Sequence, residues 1–146
     1  MPRIERQASV VWEGNVARGT GSITADTGAF GELPFSLATR IGAAEGKTSP
    51  EELLAAAHAG CFTMSLAGEL TKAKTPPGRL DVVCKIVMDE VEGQGHQIVG
   101  SQITVRATLD GVDEAALDAL IEQADLECPF SALLKRAGAD VSISRA

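Results

Sequence analysis

One stretch of sequence limits the possible folds more than any other, because it has both a marked helix start and an apolar body. Ser49-Pro50-Glu51-Glu52 has the pattern of a helix N-terminus. Ser49 is placed to cap, Pro50 fits the first helical position, and Glu52 is placed to reach back to the cap. From 53 to about 70 the residues are good helix formers with almost no charge. Their apolar side chains are not confined to one stripe, so burial on most sides is expected. Pro76-Pro77-Gly78 stops any continuation.

The segments on either side read mainly as strands. Residues 8–12 form a first strand and Glu13-Gly14-Asn15 a turn. A second strand ends near Ile23-Thr24, and a third covers about 32–39, where Pro34 marks an edge or a late start. From 80 to 91 the pattern alternates, with Val82, Cys84, Ile86 and Met88 on one face and Lys85 and Asp89 on the other. Gly93-Gln94-Gly95-His96 turns the chain into a partner strand at about 98–109. Helical spacing returns over 113–126, a short helix runs from Pro129 through Leu134 to Gly138, and 141–143 offers a last strand. With no repeat or dividing linker, the expectation is a single α+β domain over 1–146 with mostly antiparallel pairing.

Composition narrows the function classes. Hydrophobic residues make up 45% and charged residues 23%, enough for a real core, yet aromatics supply only 3% and Tyr is absent. The core must come from Ala, Val, Leu and Ile, which leaves little surface for stacking bases. A net charge of −7 also argues against nucleic-acid or anionic-membrane partners. The first residues are polar, and no segment approaches the roughly 20 continuous apolar residues of a membrane span. The expectation is a soluble, cytoplasmic protein whose three cysteines are working or buried thiols rather than a disulfide framework.

Two of those cysteines stand out by position. Cys128 precedes Pro129 and so occupies the N-cap of the short helix, where unpaired N–H groups and the helix dipole favour a thiolate. It could equally be a simple cap. Cys61 lies inside the apolar helix, where a thiol on its own is better explained by packing than by catalysis. Cys84 belongs to the apolar face of its strand and reads as core. His58, three residues before Cys61, neighbours it on the helix and either tunes that thiol or is a hydrogen-bonded core histidine. His58 and His96 have no zinc-ligand spacing to the cysteines, so no metal is expected. No Cys-x-x-Cys pair, phosphate-cradling glycine loop or nucleophile elbow is present, and no cofactor is implied.

Taken together, several segments resemble the OsmC/Ohr family of thiol peroxidases. These are Trp12-Glu13-Gly14, Thr39-Arg40, Thr48-Ser49-Pro50-Glu51-Glu52-Leu53, Ala56-Ala57-His58-Ala59-Gly60-Cys61-Phe62 and Cys128-Pro129-Phe130-Ser131. The resemblance covers essentially the whole chain and looks closer to the OsmC branch. It implies an α+β OsmC-like fold, with antiparallel sheets around a long buried central helix, in an intertwined homodimer. It implies further that Cys61 attacks a hydroperoxide, Cys128 resolves the sulfenic acid to a disulfide, and a lipoyl-type dithiol reopens it, in defence against oxidative or osmotic stress. Arg40 and Glu51 would be the activating pair: a guanidinium favours the thiolate, and a carboxylate holds the guanidinium. On position alone Glu51 could be a first-turn carboxylate and Arg40 a solvated strand-end charge, with Arg18 a rival. Phe62, Met64 and Phe130 are the candidate walls of a substrate pocket. A ligand-binding module with inert cysteines, or a redox sensor, are the competing readings.

Overall fold

The N-terminal strands pair as expected into a three-stranded antiparallel sheet, built from β1 (Ala8–Glu13), β2 (Thr20–Ala25) and β3 (Leu33–Phe35) in that order. The computed structural model describes residues 1–146 and divides them into two compact units, Met1–Pro50 and Glu51–Ala146. In the first unit Gly21 stands opposite both Trp12 and Phe35 in the ladder. A Cβ at Gly21 would lie 2.4 Å from the Phe35 ring and 2.8 Å from the Trp12 ring. The missing side chain lets the two rings approach with centroids 5.6 Å apart. Pro34 lies on an edge strand, where its missing N–H breaks no ladder.

The third strand is shorter than its sequence suggests, ending at Phe35 rather than running to 39. Ser36 ends it by turning extended backbone into a cap: its Oγ accepts the Thr39 N–H at 3.2 Å. A one-turn helix, α1 (Leu37–Ile41), follows. Arg40 is therefore in the last turn of a helix, and the expected strand-end position is corrected.

The long helix α2 (Pro50–Lys72), in the second unit from Glu51 onward, starts at Pro50, as the capping pattern requires. Its buried residues are His58, Phe62, Leu66, Glu69 and Leu70. Steps of three and four place these on one stripe, so the expected burial on most sides is corrected. Met64, facing elsewhere, is 72% exposed. By length and by a mean hydropathy of 1.2, α2 reaches the level of a membrane-crossing helix, a level that core helices also reach. Its Ala and Leu residues, with Cys61, Phe62 and Met64, lift the hydropathy, while buried His58 and Glu69 are polar.

The long hairpin is present as β4 (Arg79–Val91) and β5 (Gly95–Thr108), with a register shift at Val87/Met88. Gly93 and Gly95 adopt φ of 77° and 75°, which the tight turn between the strands requires. Next come α3 (Glu114–Glu127), capped by the Asp113 side chain, and α4 (Pro129–Arg136). The last strand, β6 (Asp140–Arg145), pairs with β5 in parallel. Two intervening helices supply the long crossover that parallel strands need. Phe62, Leu66 and Leu70 of α2 share one core cluster with Ile103 and Val105 of β5, Ile121 and Ala124 of α3, and Cys128. The result is a mixed α+β fold of two small sheets with a long central helix.

Candidate active site

Cys128 ends α3 and begins α4, and its position follows from local chemistry. Pro129 fits the first helical position, and the fully buried Cys128 Sγ accepts the Ser131 N–H at 3.5 Å. Cys61 enters from α2, half-buried beside the same core. Cys61 has Cys128 and the Phe130 backbone N–H as neighbours close enough to act on its thiol. Burial pushes the Cys61 thiol above its ordinary value, and the hydrogen bond with Cys128 adds to the rise. The Phe130 N–H works in the opposite direction by favouring the thiolate. All three cysteines are free thiols.

Behind this pair runs a buried polar string. His58 is fully buried; its Nδ1 meets Ser101 Oγ at 2.7 Å and its Nε2 meets Ser131 Oγ at 2.8 Å. Ser101 also lies 3.3 Å from Cys84 Sγ. Cys84 packs against the core, as expected for its strand face, but it also ends this string. Burial raises the Cys84 thiol, against a smaller lowering by Ser101. Burial likewise holds the His58 imidazole below its ordinary value; Asp125 opposes the shift and Lys135 adds to it. Asp125 pairs with Lys135 through one oxygen, while its other, Oδ1, is buried without a hydrogen-bond partner.

The remaining candidate residues belong to α1, α2 and α4. Glu51 occupies the first turn of α2. Ten residues of helix separate it from Cys61, about 15 Å of rise and roughly 80° around the axis. Arg40 belongs to the first unit, where it lines an apolar cleft of about 210 Å³ with Trp12, Val16, Phe35 and Leu37. Phe62 is fully buried in the core, whereas Met64 is 72% exposed. Two residues on a helix are about 200° apart, so the chain does not set Phe62 and Met64 on one wall. Phe130 is half-buried against the core, beside Cys61. No group of three or more His, Cys, Asp or Glu residues is gathered to hold a metal ion.

The comparisons with known proteins agree on one family. The family model described as OsmC-like protein matches residues 42–144. The "Peroxiredoxin OsmC" of Escherichia coli K12 is 33% identical over 132 residues, 90% of this chain and 91% of the relative. The chain belongs to the OsmC-like family. An "Organic hydroperoxide resistance protein" of Xanthomonas axonopodis is 30% identical over 102 residues, 68% of this chain and 69% of its own. Among solved structures, the organic hydroperoxide resistance protein OhrB of Bacillus subtilis superposes with a TM-score of 0.75 at 25% identity, covering 96% and 98% of the two chains. The OsmC-like match includes Glu51, Cys61 and Cys128, and begins just after Arg40.

Sequence reading missed the partners of His58. Ser101 could have been noticed, because it stands at an inward position of β5 in step with buried Ile103 and Val105. A serine there breaks an apolar face and calls for a buried polar partner. Ser131 belongs to the second cysteine segment, but its contact with α2 spans 73 residues of sequence.

His58 makes a stability prediction with a definite sign. Its folded-state pKa lies below the ordinary 6.5, so between that value and 6.5 the unfolded chain binds more protons. The stability contributed by the neutral imidazole is complete above that window and is lost as pH falls through it. Urea unfolding of wild type and His58→Gln, from about pH 8 to about pH 5, should show the wild-type advantage shrinking below pH 6.5. A pH-independent difference would contradict a buried neutral His58.

Proposed function

We propose that this chain is a thiol peroxidase that reduces organic hydroperoxides to alcohols, with Cys61 as the attacking and Cys128 as the resolving thiol. The observation that carries the reading is that two free thiols from distant segments are neighbours that act on one another at a helix N-terminus. The relatives named peroxiredoxin and organic hydroperoxide resistance protein support it.

The reaction divides into three balanced steps. The Cys61 thiolate attacks the outer peroxide oxygen; the O–O bond breaks, and the alkoxide takes a proton and leaves as alcohol. Cys61 is now a sulfenic acid. Cys128 attacks its sulfur, the S–O bond breaks, and water leaves as the disulfide forms. An external dithiol, of the lipoyl type, then exchanges with the disulfide; it is oxidised and both protein thiols are restored. No resident cofactor takes part. Three free cysteines suit a reducing compartment, and we place the reaction in the cytoplasm, as part of defence against peroxide stress. Residues 1–146 act as one functional domain.

Burial alone leaves Cys61 a poor nucleophile, so the proposed site needs a cation. We assign this role to Arg40, held by Glu51, the guanidinium favouring the thiolate and steadying the departing alkoxide. Met64 and Phe130 supply apolar wall, which suits alkyl hydroperoxides over hydrogen peroxide. Each buried CH₂ of substrate is worth up to about 0.8 kcal/mol.

The helix geometry supports a shared assembly. Glu51 stands about 15 Å along α2 from its own Cys61, beyond easy reach of one bridging arginine. Two copies of α2 crossing antiparallel about a two-fold axis remove that mismatch and cover the apolar surface outside the buried stripe. The proposed unit is a homodimer in which each site draws Cys61 from one chain and Glu51 from the other.

Two experiments test this reading. One equivalent of an alkyl hydroperoxide should link Cys61 to Cys128 and leave Cys84 reduced, as read by peptide mapping. In Cys128→Ser the Cys61 sulfenic acid should instead run on to sulfinic acid. Cys84 in the disulfide would overturn the thiol assignment. For the shared site, co-refolded Cys61→Ser and Glu51→Ala chains should regain activity above either parent, because a mixed dimer holds one intact site. No recovery in proven heterodimers would remove Glu51 from the partner's site.

A further inference from the structure

The buried string behind the thiols has no part in the three chemical steps, yet it touches the resolving cysteine. Ser131 is bonded twice: its backbone N–H donates to Cys128 Sγ at 3.5 Å, and its side-chain oxygen meets His58 Nε2 at 2.8 Å. His58 is fixed in turn by Ser101 on β5, at 2.7 Å from Nδ1. His58 sits one turn before Cys61 on α2, while Ser131 sits one turn after Cys128 on α4. The imidazole therefore ties the helix bearing one thiol to the cap bearing the other. Both serines are fully buried, as is the ring, so no water competes for these bonds. A neutral imidazole donates from one nitrogen and accepts at the other, and two hydroxyls satisfy either tautomer.

From this geometry we infer that His58 is a positioning residue for disulfide closure: through Ser131 it holds the Cys128 thiol in register with Cys61. This inference rests on the reading of Cys128 as the resolving thiol. The tether acts after the peroxide has been cleaved. Attack on the peroxide needs only Cys61 and its activating groups. Closure needs Cys128 Sγ to reach the Cys61 sulfur along the S–O axis, and an α4 N-terminus free to rock would present it less often. Slow closure leaves the sulfenic acid exposed to a second peroxide, so the tether also guards Cys61 against over-oxidation.

Single-turnover kinetics separate the two steps. Pre-reduced protein is mixed with one equivalent of an alkyl hydroperoxide. Peroxide loss follows sulfenic acid formation, and protection from a dimedone trap follows closure. His58→Leu should leave the first step within about twofold and slow the second on the order of tenfold, the scale of one lost hydrogen bond. Ser131→Ala, which keeps the backbone N–H, should slow closure to a similar extent. The double variant should be no slower than either single one, because both break the same tether. His58→Gln, whose amide can still reach the Ser131 hydroxyl, should recover part of the rate. Unchanged closure in folded His58→Leu or Ser131→Ala would overturn the inference, and so would equal slowing of both steps or additive losses. Should His58→Leu not fold, Ser131→Ala decides alone. A wild-type control that formed no Cys61–Cys128 disulfide would remove the resolving role itself, separately from any result with the variants.

Discussion

The second unit depends on one stripe of α2. His58, Phe62, Leu66, Glu69 and Leu70 are the residues of that helix that the chain buries. Phe62, Leu66 and Leu70 gather β5, α3 and Cys128 into one core, and His58 reaches β5 and α4 by hydrogen bonds. Because this stripe packs through Phe62, Leu66 and Leu70 and is hydrogen-bonded through His58, it fixes both the position and the rotation of the helix. Cys61, one turn on from His58, is then aimed at the N-terminus of α4, where Cys128 caps. Rotating the helix by one residue, about 100°, would turn His58 away from its serines and the thiol away from its partner.

The same burial that brings the thiols together works against their chemistry. Removing Cys61 from water raises its pKa, and sharing a hydrogen bond with Cys128 raises it further. The Phe130 N–H is the one nearby group that opposes the rise. A buried nucleophile of this kind requires a cation brought to it, and under the proposed function that is Arg40, with Glu51 arriving from a second copy. Under that proposal the need for a thiolate and the uncovered surface of α2 are met by one arrangement, the proposed homodimer.

The fold was legible where structure is set locally. The capping residues at Ser49-Pro50 and Cys128-Pro129 gave helix starts, alternation gave β4, and glycines gave the hairpin turn. Errors arose where tertiary contact overrides a local pattern. The stretch 32–39 has strand composition, yet Ser36 bonds Thr39 and starts a helix instead. Apolar residues beyond one stripe of α2 suggested burial on most sides, but one chain fully buries only a stripe. The parallel pairing of β6 has no signature in three apolar-polar alternations near the C-terminus. For the site, the two cysteines that meet were legible from their segments, whereas the roles of Ser101 and Ser131 depend on contacts 43 and 73 residues away in sequence from His58.

The most direct measurement is steady-state hydroperoxide consumption with a dithiol supplied, comparing wild type with Cys61→Ser and a bulky alkyl hydroperoxide with hydrogen peroxide. Wild type should turn over the alkyl substrate with one disulfide of oxidised dithiol formed per peroxide lost, and do so faster than with hydrogen peroxide. Cys61→Ser should be inactive. Turnover that survived Cys61→Ser, or no turnover in a wild type with its thiols reduced, would contradict a peroxidase built on the Cys61–Cys128 pair.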